Sequence, residues 1–341
     1  MPALTEVAAS MVASGKGILA ADESIGTMSK RLAAAGVPAS AAARRDYREL
    51  LLTTPGLAGQ VSGVIWCDET LRQSLADGTP FPAAARNLGI HPGIKVDAGV
   101  TPLPFSGGAT VTEGLDGLRG RLEEYRAMGA VFAKWRAVLA PDRFSPRAAA
   151  ANAHALARYA ALCQEAGLVA IVEPEVLMDG SHGIGRCEEV TAATLDAVFG
   201  QLALMGVDPA GIVLKPNMVI EADGSEPHAE PDEVARRTLG VLRAAVPASV
   251  PGIAFLSGGQ SNERACANLA AINAAAGADP GRRAPWRLTY SFGRALVSDA
   301  LHAWHGDPGR IKEAQGALAA NCARASAASG GARGRGDGGD G

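Results

Sequence analysis

The stretch AVFAKWRAVLAPDRFSPRAAAANAHALARYAALCQEAGLVAIVEPEV, residues 130–176, decides the fold. It begins with a short apolar run, passes through an alanine-rich segment with helical spacing from Pro146 to Ala166, and returns to a second apolar run at 168–176. Strand, helix, strand is the repeating unit of a parallel sheet. Outward from it the same alternation recurs. Further runs stand at GILAAD (17–22), SGVIWCDE (62–69), GIKVD (93–97), GIVLKPN (211–217), GIAFLSGG (252–259) and RLTYSFGR (287–294), which makes eight strand candidates. Helical spacing fills Ala41 to Leu52, Leu115 to Met128, Glu188 to Met205, Pro231 to Ala245 and Ser261 to Ala276. Ser145-Pro146 and Ser261-Asn262-Glu263 supply helix-start chemistry. Gly167, Gly206 and Gly277 are read as lying just past helix ends, where a left-handed conformation suits glycine.

Eight such units predict an α/β fold, a single closed (β/α)8 TIM barrel with an N-terminal helical extension, in preference to an open doubly wound sheet. The intervals 17–62 and 67–93 are longer than a minimal unit needs, so extra structure is expected there. Residues 1–325 are assigned to the barrel domain. The segment 326–341, rich in Gly, Arg and Asp and almost without large apolar side chains, is read as a disordered tail.

Composition narrows the function. The chain has 341 residues, 48% of them apolar, and a formal charge of −3. That balance argues against a nucleic-acid or anionic-membrane partner acting over the whole surface. No run of 18 or more apolar residues predicts a spanning helix, and the start MPALTEVAASMVASGKG lacks the basic region of a secretory leader. Five dispersed cysteines without a CxxC pair suit reduced thiols in a cytoplasm. His302 and His305 sit together on a late helix without a third ligand, so neither metal nor cofactor is called for.

In a barrel the chemistry collects at the C-terminal ends of the strands. Those ends carry Asp22, Asp68 and Glu69, Lys95 and Asp97, Lys134 and Arg136, Glu173 and Glu175, Lys215, Ser257, and Ser291 with Arg294. Residues two apart on a strand face one side, so Lys134 with Arg136, Glu173 with Glu175, and Lys95 with Asp97 point together. Outward they would meet the helical layer, where unpaired charge is costly; inward they form one cluster at the open mouth. The lysines sharpen this. The chain uses 26 Arg but 6 Lys, and three of the six are Lys95, Lys134 and Lys215. An arginine keeps its proton near neutral pH, whereas a buried lysine can lose it and act as a nucleophile. Lys215, in an apolar strand with a second lysine two strands away, fits the recipe for an amine that forms Schiff bases. Ser257-Gly258-Gly259 and Phe292-Gly293-Arg294 fit a phosphate cradle after strands seven and eight, and Lys95, Arg136, Ser24 and Thr27 a second anion site.

These residues resemble a known family. GILAADES (17–24), GIKVD (93–97), FAKWR (132–136), VEPEV (172–176), LKPNM (214–218), FLSGGQS (255–261) and SFGRAL (291–296) are, in order and spacing, similar to class I fructose-bisphosphate aldolase. The resemblance implies a metal-independent barrel that splits fructose 1,6-bisphosphate into dihydroxyacetone phosphate and glyceraldehyde 3-phosphate, in glycolysis and gluconeogenesis. It makes Lys215 the Schiff-base lysine, Glu173 the general acid/base, and Asp22 its partner in orienting the C4 hydroxyl. Lys134 becomes the cation assisting proton transfer, and Glu175 a carboxylate positioning the cations. Ser257, Gly258, Gly293 and Arg294, with Ser291 beside them, fall at the C1-phosphate site. Ser24, Thr27, Lys95 and Arg136 fall on or near the C6-phosphate site, with Arg31 a looser candidate for closure over substrate. A cytoplasmic homotetramer is implied too.

One departure stands out. Animal members of the family close with a tyrosine that takes part in proton exchange at the enamine, whereas here the tyrosines are at 47, 125, 159 and 290. The alternatives are another Schiff-base sugar-phosphate aldolase or transaldolase, or a sugar-phosphate-binding scaffold without catalysis. The deprotonatable amine with its carboxylates argues against a mere binder.

Overall fold

Eight parallel strands close around one axis in the computed structural model of the chain, which describes residues 3–225, 227–278 and 283–330. They are β1 (Gly17–Ala21), β2 (Val61–Trp66) and β3 (His91–Lys95), then, after an antiparallel hairpin of β4 (Gly99–Pro102) and β5 (Thr110–Glu113), β6 (Phe132–Leu139), β7 (Val169–Val176), β8 (Ile212–Leu214), β9 (Gly252–Phe255) and β10 (Arg287–Tyr290). Apart from the hairpin, the strands pair in chain order. The Ala20 amide donates to the Phe292 carbonyl at 3.0 Å and joins the last strand to the first. The ladder continues one step past several strand ends: Val96 N to Lys134 O, Lys215 N to Val172 O and Ser291 N to Phe255 O, at 2.7–3.0 Å. Backbone bonds therefore fix the residues of the mouth before any side chain does.

The helices are α1 (Leu4–Met11), α2 (Ile25–Ala34), α3 (Ala41–Leu52), α4 (Leu57–Gln60), α5 (Asp68–Leu71), α6 (Phe81–Asn87), α7 (Leu118–Met128), α8 (Pro146–Glu165), α9 (Ile184–Leu204), α10 (Pro231–Ala245), α11 (Asn262–Ala278), α12 (Arg294–Trp304) and α13 (Ile311–Gly330). The start signals operate as chemistry requires. Ser145 Oγ accepts the Ala148 amide at 3.1 Å ahead of Pro146, and Ser261 Oγ accepts the Arg264 amide at 3.2 Å. Gly167 and Gly206 adopt φ of +73° and +67° past their helices, whereas Gly277 lies inside α11, which continues to Ala278.

Strand alternation divides the core in two. Ile18, Ala20, Ile65, Phe132, Val169, Ile171, Val213 and Ala254 turn inward, and α1 closes that interior from the N-terminal end with Val7, Ala8, Met11 and Val12. The expected N-terminal helix is thus the plug of the barrel. Fully burying Met11 contributes on the order of 2 kcal/mol. The intervening strand residues, among them Leu19, Trp66, Trp135 and Leu214, pack outward against the helices. Gly93 is required by close approach: a Cβ there would lie 2.1 Å from the Phe132 ring that fills the barrel.

Three sequence expectations need correction. Asp68 and Glu69 do line the mouth beside Lys95, but the strand read over 62–69 stops at Trp66 and the two open α5, where Asp68 meets Arg72 and Tyr125 and Glu69 meets Arg44. The hairpin over 99–113 was not expected, because its two four-residue strands are too short for a periodic signal. The region expected to be disordered is helical at its start: α13 runs through Gly330, Ser326 Oγ donates to the Gly15 carbonyl, and Ala328 and Ser329 are buried. Small residues here fill close contacts in place of bulky ones; residues 331–341 of the expected tail lie outside the described residues. A chain ending at Ala325 is expected to melt roughly 2–5 °C below one ending at Gly330. Thermal denaturation followed by circular dichroism measures the difference.

All five cysteines are buried free thiols. Among the described residues, no helix is long and apolar enough to cross a membrane.

Candidate active site

Lys134 on β6, Glu173 on β7 and Lys215 just past β8 follow the inward set of their strands, one turn of the pleat beyond the apolar interior. Glu173 lies between the two lysines. Its Oε1 is 3.0 Å from Lys215 Nζ and its Oε2 is 3.0 Å from Lys134 Nζ. Lys134 Nζ turns its other side to Asp22 Oδ2 at 2.6 Å, from the end of β1. All three β-strand side chains are about 95% buried, so every charge in the set is answered by a partner.

Burial opposes the ionisation of Asp22, but Lys134 and Lys215 prevail and hold its carboxyl below the usual carboxylate range. Glu173 is drawn down in the same way, burial being outweighed by Lys134 and Lys215. On Lys134, desolvation is overcome by Asp22 and Glu173, and the ammonium holds its proton well above the ordinary lysine range. One permanent cation and two carboxylates therefore face Lys215 Nζ's corner of the mouth.

A second layer lies toward solvent. Lys95, in register with Lys134, contacts Asp97 Oδ1 at 2.7 Å and donates to the Asp97 carbonyl at 2.8 Å. Asp97 also accepts the amides of Arg136 and Gly99, both at 3.2 Å. Arg136 is paired with Glu175. Four cations, Lys95, Lys134, Arg136 and Lys215, thus stand with Asp22, Asp97, Glu173 and Glu175 at neighbouring strand ends.

The two anion sites differ in how completely they are assembled. Beyond β9 and β10, Ser257 and Ser291 are both buried, and the Ser291 hydroxyl has no hydrogen-bond partner. Gly258 and Gly259 follow with φ of +61° and +99°, a turn that favours glycine. A Cβ on Gly259 would lie 3.5 Å from Arg294 Nη2, so that guanidinium reaches across the turn, while Gly293 opens α12. The glycine turn and Arg294 at the start of α12 thus lie together, the elements of an anion site. On the other side, Ser24 and Lys95 line a cavity of about 980 Å³ that also meets Asp97, Arg121 and His154. Ser24 caps α2, its Oγ accepting the Thr27 amide at 3.2 Å. Thr27 is exposed at that helix start, and Arg31 is committed to Glu23.

The comparisons with known proteins bear on this geometry. A family model described as fructose-bisphosphate aldolase class-I matches residues 3–339. The chain belongs to the class-I fructose-bisphosphate aldolase family. It is 52% identical to a probable fructose-bisphosphate aldolase class 1 of Xanthomonas campestris over 89% of this chain and 90% of that one. With the cytosolic fructose-bisphosphate aldolase 6 of Arabidopsis thaliana it shares 49% identity over 90% of this chain and 85% of the relative. A solved structure of fructose-bisphosphate aldolase from Plasmodium falciparum superposes with a TM-score of 0.92 at 41% identity, covering 96% of this chain and 94% of that one.

Some residues that hold this aldolase's site together escaped the sequence reading. Asn217 accepts the Val176 amide through Oδ1 at 3.1 Å and donates to Thr191 Oγ1 at 3.1 Å and to the Met218 carbonyl at 3.0 Å, tying the end of β7 to the turn that carries Lys215. Its place two residues after Lys215 in LKPN was the available signal. Arg48 on α3 is 1% exposed and was invisible, because the surrounding RRDYRE looks like a solvated helix face.

Proposed function

We propose that this aldolase cleaves fructose 1,6-bisphosphate reversibly through a Schiff base on Lys215, and that Glu173 and Asp22, with Lys134 between them, manage its protons. The observation that carries the reading is the buried bridge in which one Glu173 oxygen meets Lys215 and the other meets Lys134. A sugar-phosphate binder has no use for an amine and a carboxylate held together out of water.

In this account Lys215 gives a proton to Glu173, and its Nζ attacks the C2 ketone. The carbinolamine loses water with Glu173 supplying the proton, leaving an iminium. Glu173, again a carboxylate, takes the proton of the C4 hydroxyl, the C3–C4 electron pair moves into the iminium and glyceraldehyde 3-phosphate leaves. The resulting enamine is protonated at C3, and hydrolysis releases dihydroxyacetone phosphate and the free lysine. Asp22 orients the C4 hydroxyl, and Lys134 stabilises the negative charge that develops beside it. All four phenols are engaged elsewhere: Tyr47, Tyr159 and Tyr290 donate to backbone carbonyls and Tyr125 to Asp68. We therefore assign the enamine proton to Glu173, the group that exchanged protons in the earlier steps.

Ser257, Gly258, Ser291, Gly293 and Arg294 are assigned to the C1 phosphate, and Ser24, Thr27, Lys95 and Arg136 to the C6 phosphate, with Arg31 at the edge of the second site. Glu175 holds Arg136 in place. Replacing Arg294 with alanine is expected to raise KM for fructose 1,6-bisphosphate roughly 10–100-fold while changing kcat less, since the arginine binds ground and transition states alike. Initial rates over a substrate series measure both. An unchanged KM would remove Arg294 from the phosphate site. By the same family resemblance we place the enzyme in the cytoplasm as a homotetramer, which light scattering would test.

A further inference from the structure

We infer that Arg48 is a positioning residue for Asp22, acting as a two-pronged clamp on the backbone on either side of it. β1 ends at Ala21 and the chain turns into α2 at Ser24, so Asp22 sits on a short connection with no ladder of its own. Arg48 Nε donates to the Ala21 carbonyl at 3.1 Å and Nη2 donates to the Glu23 carbonyl at 2.8 Å. Those two carbonyls flank the residue whose Oδ2 meets Lys134 at 2.6 Å.

The direction of these bonds separates a positioning role from an ordinary buried ion pair. The nearest carboxylate oxygens, Glu23 Oε2 and Glu69 Oε2, lie 3.8 and 3.9 Å from the guanidinium, beyond hydrogen-bond reach. They neutralise the buried charge, and the directional bonds are spent on backbone. Glu69 is itself gripped by Arg44 at 2.6 and 2.7 Å, and Arg44 also donates to Ser29 of α2 at 3.1 Å. The clamp therefore has a fixed backing on α3 and α2. Only a planar fork can serve two carbonyls from one side chain; an ammonium offers a point charge.

The inference rests on the reading of Asp22 as a working partner of Lys134 and Glu173. Its test is a double-mutant cycle of Arg48→Lys and Asp22→Asn, read as kcat and KM for cleavage of fructose 1,6-bisphosphate, beside borohydride trapping of dihydroxyacetone phosphate on the unmutated enzyme. Arg48→Lys is expected to lower kcat roughly 10–100-fold, the cost of misplacing a reacting group by about 1 Å, with KM within about twofold. On the Asp22→Asn background the same change should cost less than about threefold, because the group that Arg48 positions is already lost. An unchanged kcat in Arg48→Lys, or losses that multiply in the double variant, would overturn the inference. If the unmutated enzyme yields no trapped adduct on Lys215, the underlying reading fails instead. Should Arg48→Lys not fold, Arg48→Gln decides: a single amide can serve at most one of the two carbonyls, so kcat should fall several-fold, an effect absent on the Asp22→Asn background. An unchanged kcat in Arg48→Gln would overturn the clamp.

Discussion

Substituting methionine for Lys215 is expected to eliminate cleavage of fructose 1,6-bisphosphate, with kcat lower by a factor on the order of 10⁴ or more, the scale of losing a covalent nucleophile. The protein should stay folded. Lys215 is about 96% buried with its stem in an apolar strand end, a setting that accepts methionine, and Glu173 retains Lys134 as its counter-charge. Arginine at the same position separates chemistry from charge. It preserves the cation facing Glu173 but cannot give up its proton near neutral pH, so Lys215→Arg should be as inactive as Lys215→Met. A coupled assay for triose phosphates checks both variants. Measurable turnover in Lys215→Arg would show that the site needs only a positive charge there.

Glu173→Gln is expected to lower kcat by roughly 10²–10⁴-fold, the usual contribution of a positioned acid/base, with KM altered far less. The amide keeps the shape but has one acceptor oxygen where the carboxylate has two, so it can accept from only one of the two lysines, and it cannot shuttle a proton. Stability should respond as well. Glu173 is buried and ionised against two lysines, and removing its charge leaves Lys215 without the carboxylate at 3.0 Å, at a cost of about 2–4 kcal/mol. Burial opposes its ionisation, but Lys134 and Lys215 prevail and depress its folded value. Its stabilising contribution is therefore complete above the ordinary glutamate value of about 4.3 and is lost as pH falls through the lower folded value. The stability gap between the unmutated enzyme and Glu173→Gln should be widest near neutrality and close toward strong acid. Urea denaturation at several pH values measures it, and a gap that widens in acid would contradict the ionised state assigned to Glu173.

What could be read from the sequence follows from how local each signal is. The pairs Lys134 with Arg136 and Glu173 with Glu175 were legible because strand alternation is a property of neighbouring residues, and charge at both positions forced the inward choice. The eight apolar runs indicated the barrel for the same reason, whereas the start of the chain indicated only a helical extension, and that this helix plugs the barrel emerges from packing. Contacts made across elements were hidden. Arg48 lies in a charged helix that could equally face water, and only packing of α3 against the end of β1 buries it. Asp68 and Glu69 were misread because nothing before them distinguishes a strand that continues from one that breaks into α5. The chain at 326–330 offered no bulky apolar residue, yet Ala328 and Ser329 are buried by close approach of α13 to α11, where Asn273 Nδ2 donates to the Ala328 carbonyl at 3.2 Å. Composition registers side-chain size, and it cannot register how near another backbone comes.

Whether Lys215 forms the covalent bond to substrate is decided by borohydride reduction in the presence of dihydroxyacetone phosphate, followed by peptide mapping. A single reduced adduct is expected on the peptide containing Lys215, absent from Lys215→Met. No adduct, or an adduct on Lys95 or Lys134 with Lys215 unmodified, would contradict it.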